Sequence, residues 1–105
     1  MAYAVYMTES FEKEMMKLSD SDRKIIEKLF VQLKENPFVG DILRYHFFRE
    51  KRLREKRIYY LIYDELNCVL IVAIGNKKTQ QETIDKIIEL LPEFKEYITK
   101  IMHES

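Results

Sequence analysis

The residues best suited to chemistry lie between positions 44 and 63, RYHFFREKRLREKRIYYLIY. Over residues 44–57 seven cations, Arg44, Arg49, Lys51, Arg52, Arg54, Lys56 and Arg57, meet only two acids, Glu50 and Glu55. Tyr45, Phe47, Phe48, Tyr59, Tyr60 and Tyr63 are interleaved with them. Cations with aromatics on a strand suit a surface that meets phosphate, so RNA is the first partner to consider. A second group follows at Gly75-Asn76-Lys77-Lys78, where an apolar run from Cys68 to Ile74 ends. The plainer reading of the basic run is a solvated strand face whose Arg and Glu side chains pair with one another.

These residues need a platform, and the chain supplies one. It has 105 residues and 47% hydrophobic content, enough for one domain with one core. Lys+Arg and Asp+Glu are both 18, so the net charge is +0. The basic segment therefore has its counterweight elsewhere, and charge is segregated along the chain. No apolar run approaches the ~20 residues of a membrane helix, and the N-terminus lacks a signal-peptide pattern. The lone Cys68, inside an apolar strand, reads as a small core residue and suggests a cytoplasmic protein. Residues 3–7 read as a strand. Phe11, Met15 and Leu18 repeat at helical spacing. Ser19-Asp20-Ser21-Asp22 caps a second helix with the stripe Ile25, Ile26, Leu29, Phe30 and Leu33, ending near Asn36-Pro37. Residues 37–46 read as a loop. Strands are expected at about 47–53, 57–63 and 68–74, the last central and buried on both faces. In the first of these, Phe47, Arg49, Lys51 and Leu53 share one side, and Phe48, Glu50, Arg52 and Arg54 the other. Thr79-Gln80-Gln81-Glu82 matches a capping box at the start of a helix, and Pro92 either begins a further helix or kinks this one. The order implies an α+β fold: a small, mostly antiparallel sheet with an N-terminal α-hairpin packed on it and an added C-terminal helical segment.

Arg52-Leu53-Arg54-Glu55-Lys56-Arg57-Ile58-Tyr59-Tyr60 resembles the R-V-G-D-Y-R-V-I-Y segment of the RelE/ParE toxin superfamily. Ala73-Ile74-Gly75-Asn76-Lys77-Lys78 resembles the V-G-H/K-R segment that follows it there. The resemblance implies a RelE-like toxin domain over residues 1–86, with 87–105 a C-terminal helical extension packed on the same domain. It implies the toxin of a type II toxin–antitoxin system, held by a cognate antitoxin. Many such relatives are endoribonucleases that cut mRNA, often on the ribosome, without a metal ion, and the resemblance implies no other cofactor. Carried over by position, Arg57 matches the phosphate-binding arginine, Lys77 the cation after the strand-end Gly, and Arg52 the basic residue that opens the motif.

The chain also departs from the pattern. Asn76 stands where relatives often place His or Lys, and Thr83 near where they place Tyr; neither exchanges a proton at neutral pH. Phe48 and Glu50 align with positions that are basic in RelE-type enzymes, and a shift of one residue offers Arg49 and Lys51 instead. Glu50 or His46 could take a 2′-OH proton. The candidate catalytic set is thus Arg57, Lys77, Arg52 and Glu50, with Arg49, Lys51, Arg54 and Lys78 as RNA-binding residues, all cations expected on one concave side of the sheet. A silent or ParE-like protein, acting by binding without cleavage, is the competing expectation.

Overall fold

A computed structural model describes residues 2–104. The elements are β1 Ala4–Met7, α1 Glu9–Met16, α2 Asp20–Glu35, β2 Asp41–Ile42, β3 Phe48–Leu53, β4 Lys56–Tyr63, β5 Cys68–Asn76, α3 Gln80–Glu89 and α4 Leu91–Glu104. Local chemistry sets their ends. The Thr8 hydroxyl accepts from the Phe11 amide to open α1, and the Ser19 hydroxyl accepts from the Asp22 amide to open α2. Asn36 closes α2, and Pro37, which cannot continue it, begins a short 3-10 turn.

The five strands lie in the order β1-β5-β4-β3-β2, with β1 parallel to β5 and the other pairs antiparallel. The two faces of β4 belong to different cores. Ile58, Tyr60 and Ile62 meet Phe11, Met15, Ile26, Leu29 and Leu33 of α1 and α2. Tyr59, Leu61 and Tyr63 meet Ile87 of α3 and Ile98 of α4. Cys68 to Ile71 are fully buried, as the unbroken apolar run of a covered inner strand requires. Leu33 is 0% exposed, so Leu33→Ala would cost about 2–5 kcal/mol and loosen α2 from the sheet.

Two local expectations change, and the alternatives left open for Pro92 are decided. The stretch 37–46 contains β2, whose two residues pair with Glu50 and Arg49 but are too few to show a strand's alternation. The capping box forms one turn earlier: Asn76 accepts from the Thr79 amide and Thr79 accepts from the Asn76 amide, closing a 3-10 turn over Lys77–Thr79 ahead of α3. Pro92 lies in the first turn of a separate α4, where its missing N–H costs nothing. Ile98 of α4 is buried, with Phe94 and Met102 packed beside it. Among the described residues no helix is long and apolar enough to cross a membrane.

Candidate nucleic-acid interface

The basic residues gather where β3 turns into β4 and β5 ends. Leu53 pairs with Lys56, so Arg54 and Glu55 form a two-residue turn. Arg54 takes φ 60°, the left-handed region that favours glycine. One step along, Arg52 lies directly opposite Arg57, which lies opposite Gly75 of β5. The register slips between Tyr59 and Tyr60, leaving Val72 without a partner in β4, and this bulge sets the register of the strand end carrying Gly75 and Asn76. Like charges facing each other across a strand pair are unfavourable, so the Arg52–Arg57 pairing is a poor choice for stability alone. It is a good one for an anion.

Arg52, Arg54, Arg57, Lys77 and Lys78, with Glu55 and Asn76, line an open groove of about 480 Å³. Five cations there face one carboxylate. Arg52, Lys77 and Lys78 are exposed and make no ion pair among the described residues. Arg54 reaches Asp22, in the first turn of α2, at 3.3 Å. That pair is largely solvated and worth under ~1 kcal/mol, so it orients Arg54 more than it holds the fold. Asn76 has its side chain committed to the turn that presents Lys77 and Lys78.

Arg57 and Glu50 are buried below the rim, at 9% and 4% exposure. Arg57 Nη1 donates to Glu50 Oε2 at 3.0 Å, and Gln80 Nε2, at the start of α3, donates to Oε1 at 2.8 Å. Both carboxylate oxygens are therefore engaged. Tyr59, directly opposite Glu50 on β4, is fully buried, and among the described residues its hydroxyl has no hydrogen-bond partner. Its pKa is pushed up to about 12, first by burial and then by the negative charge of Glu50, which approaches the hydroxyl without meeting it in bonding geometry. A Cβ on Gly75 would stand 3.0 Å from Thr79 Oγ1, 3.5 Å from Thr83 Oγ1 and 3.6 Å from the Tyr59 ring, so these groups crowd the strand end.

Arg49 and Lys51 belong elsewhere. They pair with Tyr60 and Ile58, which places them on the α1/α2 side, whereas Glu50, Arg52 and Arg57 face the α3/α4 side. The single concave side expected for all the cations is thus divided between two faces. Arg49 is 5% exposed, and its guanidinium donates to the backbone carbonyls of His46, Phe38 and Gly40, with the Phe38 ring 5.3 Å from its centre. Its hydrogen bonds are spent on the fold. His46 leans on Arg49 and Phe38 at the other end of β3 from the groove. Tyr60 ties the same corner: its hydroxyl donates to the Pro37 carbonyl at 2.7 Å and accepts from the Gly40 amide. Burial pushes that hydroxyl's pKa to about 12 as well. A Cβ on Gly40 would collide with the Tyr60 hydroxyl at 2.6 Å and the Glu50 carbonyl at 2.8 Å, which requires glycine.

Sequence reasoning missed Gln80, Tyr59 and Asp22. Gln80 read as a helix-start residue, Tyr59 as one of several strand aromatics and Asp22 as a capping acid. Each joins the site only through a contact distant in sequence, except that Tyr59 lies across a hairpin from Glu50. A larger groove of about 840 Å³ between β5 and α3 has Val72, Ile74, Ile87 and Phe94 in its lining and acids of α3 at its rim, with no concentration of cations.

Several solved structures share this architecture. A variant of the E. coli toxin RelE in the free state superposes with TM-score 0.69 at 24% identity, covering 83% of this chain and 99% of that one. The E. coli RelBE toxin–antitoxin complex gives TM-score 0.65 at 25% identity, covering 71% and 96%. An archaeal RelE–RelB complex from Pyrococcus horikoshii gives 0.67 at 16% identity, covering 73% and 97%. No protein-family model matches the sequence, and no curated protein matches it. Four helices around a mostly antiparallel five-stranded sheet, superposable over nearly the whole of those chains, make this the RelE toxin fold.

Proposed function

We propose that this protein is the toxin of a type II toxin–antitoxin system and that it cleaves mRNA as a metal-independent endoribonuclease. The observation that carries the reading is the groove at the β3–β4 turn, where Arg52, Arg54, Arg57, Lys77 and Lys78 converge from two strand ends and a turn. The neighbouring structures are toxins, some of them bound to RelB antitoxins. The basic groove is the feature through which this chain would meet a phosphodiester. Arg57 and Arg52 would hold the scissile phosphate, and Lys77 and Lys78 would add charge as the phosphorane forms. Arg54 would meet the flanking backbone. Glu50, buried below the groove and bonded to Arg57, would serve as base only after leaving it. Arg49 and Lys51 are no part of this RNA contact set. A cognate antitoxin would be an acidic chain that covers the groove or replaces α4, and the protein would work in the cytoplasm on free or ribosome-bound message.

A second reading has its own observation. Both Glu50 oxygens are bonded, Asn76 caps a turn, and His46 lies at the far end of β3. No histidine lines the groove, and its one lining carboxylate, Glu55, sits in the β3–β4 turn among five cations, which suits a protein that binds without cutting. Incubation of mRNA with and without ribosomes, in EDTA, separates the two, read beside growth after induced expression. Cleavage in EDTA that is lost in Arg57→Lys supports the nuclease. Binding and growth arrest without cleavage support the binder, and wild-type protein that neither touches RNA nor slows growth overturns both.

A further inference from the structure

Among the described residues the Tyr59 hydroxyl is a buried donor with no hydrogen-bond partner, in a strand buried from Arg57 to Tyr63. Such a group is disfavoured in a folded core and persists where it has work in another state. Its surroundings indicate the work. Glu50 lies directly across the strand pair, its two oxygens held by Arg57 and Gln80. Arg57 also lines the groove, so the guanidinium that should grip a phosphate is the one that neutralises Glu50. If Arg57 turned to a phosphate with nothing else changed, Glu50 would be left buried beside a new anion with one donor.

We infer that Tyr59 is a positioning residue for phosphate capture: its hydroxyl takes up the Glu50 oxygen that Arg57 releases when Arg57 swings onto a phosphodiester in the groove. The inference rests on the RNA-binding reading of that groove. The exchange loses no hydrogen bond and satisfies the Tyr59 hydroxyl. Arg57 trades a carboxylate oxygen for a phosphate oxygen, Glu50 trades a guanidinium for a phenol, and Gln80 keeps the other oxygen in place. The raised pKa of Tyr59 keeps the phenol protonated, and so able to donate, across the physiological range.

The test measures single-stranded RNA binding and thermal unfolding for wild type, Tyr59→Phe, Glu50→Gln and the double variant. Tyr59→Phe should keep or raise the unfolding midpoint, because it deletes an unsatisfied polar atom, yet bind RNA roughly tenfold more weakly. In the Glu50→Gln background, where no charge needs a substitute partner, the same change should leave affinity unaltered. A purely structural tyrosine would lower the midpoint, or act equally in both backgrounds. Unchanged affinity in Tyr59→Phe overturns the inference by itself, whatever the Glu50 variant does. Wild-type protein that does not bind RNA overturns the reading of the groove and this inference with it.

Discussion

Arg49 and Arg57 sit on adjacent strands, are both nearly buried, and have opposite uses. Arg49 faces three backbone carbonyls and an aromatic ring. Carbonyl oxygens at turn corners cannot pair with strands, so an arginine there satisfies groups that would otherwise be stranded. It is a clamp. Arg57 faces one carboxylate and opens onto a groove whose rim carries three cations that make no ion pair among the described residues. On the proposed function, that partner would be exchanged for a phosphate. The contrast teaches that what faces a cation decides its role: dipoles that belong to the backbone retain it, while a carboxylate holds it in reserve.

The largest expected effect tests the reserve. Arg57→Ala should remove RNA cleavage, by ~10²–10³ or more, and also destabilise the fold by about 3–5 kcal/mol because Glu50 is left buried and unpaired. Adding Glu50→Gln should recover much of the stability, measured by urea unfolding, and none of the cleavage. If stability does not recover, the buried pair is not the source of the loss. The comparison then turns on Arg49→Ala. Three donated hydrogen bonds and a ring contact disappear, so about 2–4 kcal/mol of stability should go, with RNA affinity per folded molecule unchanged. An affinity loss in protein shown to be folded by circular dichroism would return Arg49 to the RNA-binding set. Lys77→Ala, exposed and unpaired, should leave the unfolding midpoint within error, weaken RNA binding, and lower the salt slope of binding by about one counterion. The smallest effect belongs to Arg54→Gly. It relieves a left-handed backbone position by about 1 kcal/mol and should raise the midpoint slightly, at the expense of a modest loss in RNA affinity.

The resemblance that runs from Arg52 to Tyr60 places glycine where this chain has Arg54. A residue kept at φ 60° against its backbone preference, on the rim of the groove, is consistent with a contact that the fold itself does not need.

Much of the molecule was legible beforehand. The helical stripes of α1 and α2, the caps at Thr8 and Ser19 and the long apolar β5 all follow from local periodicity and side-chain chemistry. So does the hairpin that carries Arg52 and Arg57. These depend on neighbours within a few residues, which sequence displays. It also placed cations at both strand ends that form the groove. What it left open was the side. Every residue from Arg49 to Arg52 is charged, so neither face of β3 declared itself core, and the alternation that usually assigns a strand gave no contrast. Tertiary structure made the assignment. The 3-10 turn after Asn36 presents the Phe38 and Gly40 carbonyls to Arg49, α3 brings Gln80 to Glu50, and α2 brings Asp22 to Arg54. Those partners lie 9 to 32 positions away along the chain. A buried charge is tolerated only where distant groups converge on it, and that convergence exists only once the sheet and its helices have packed.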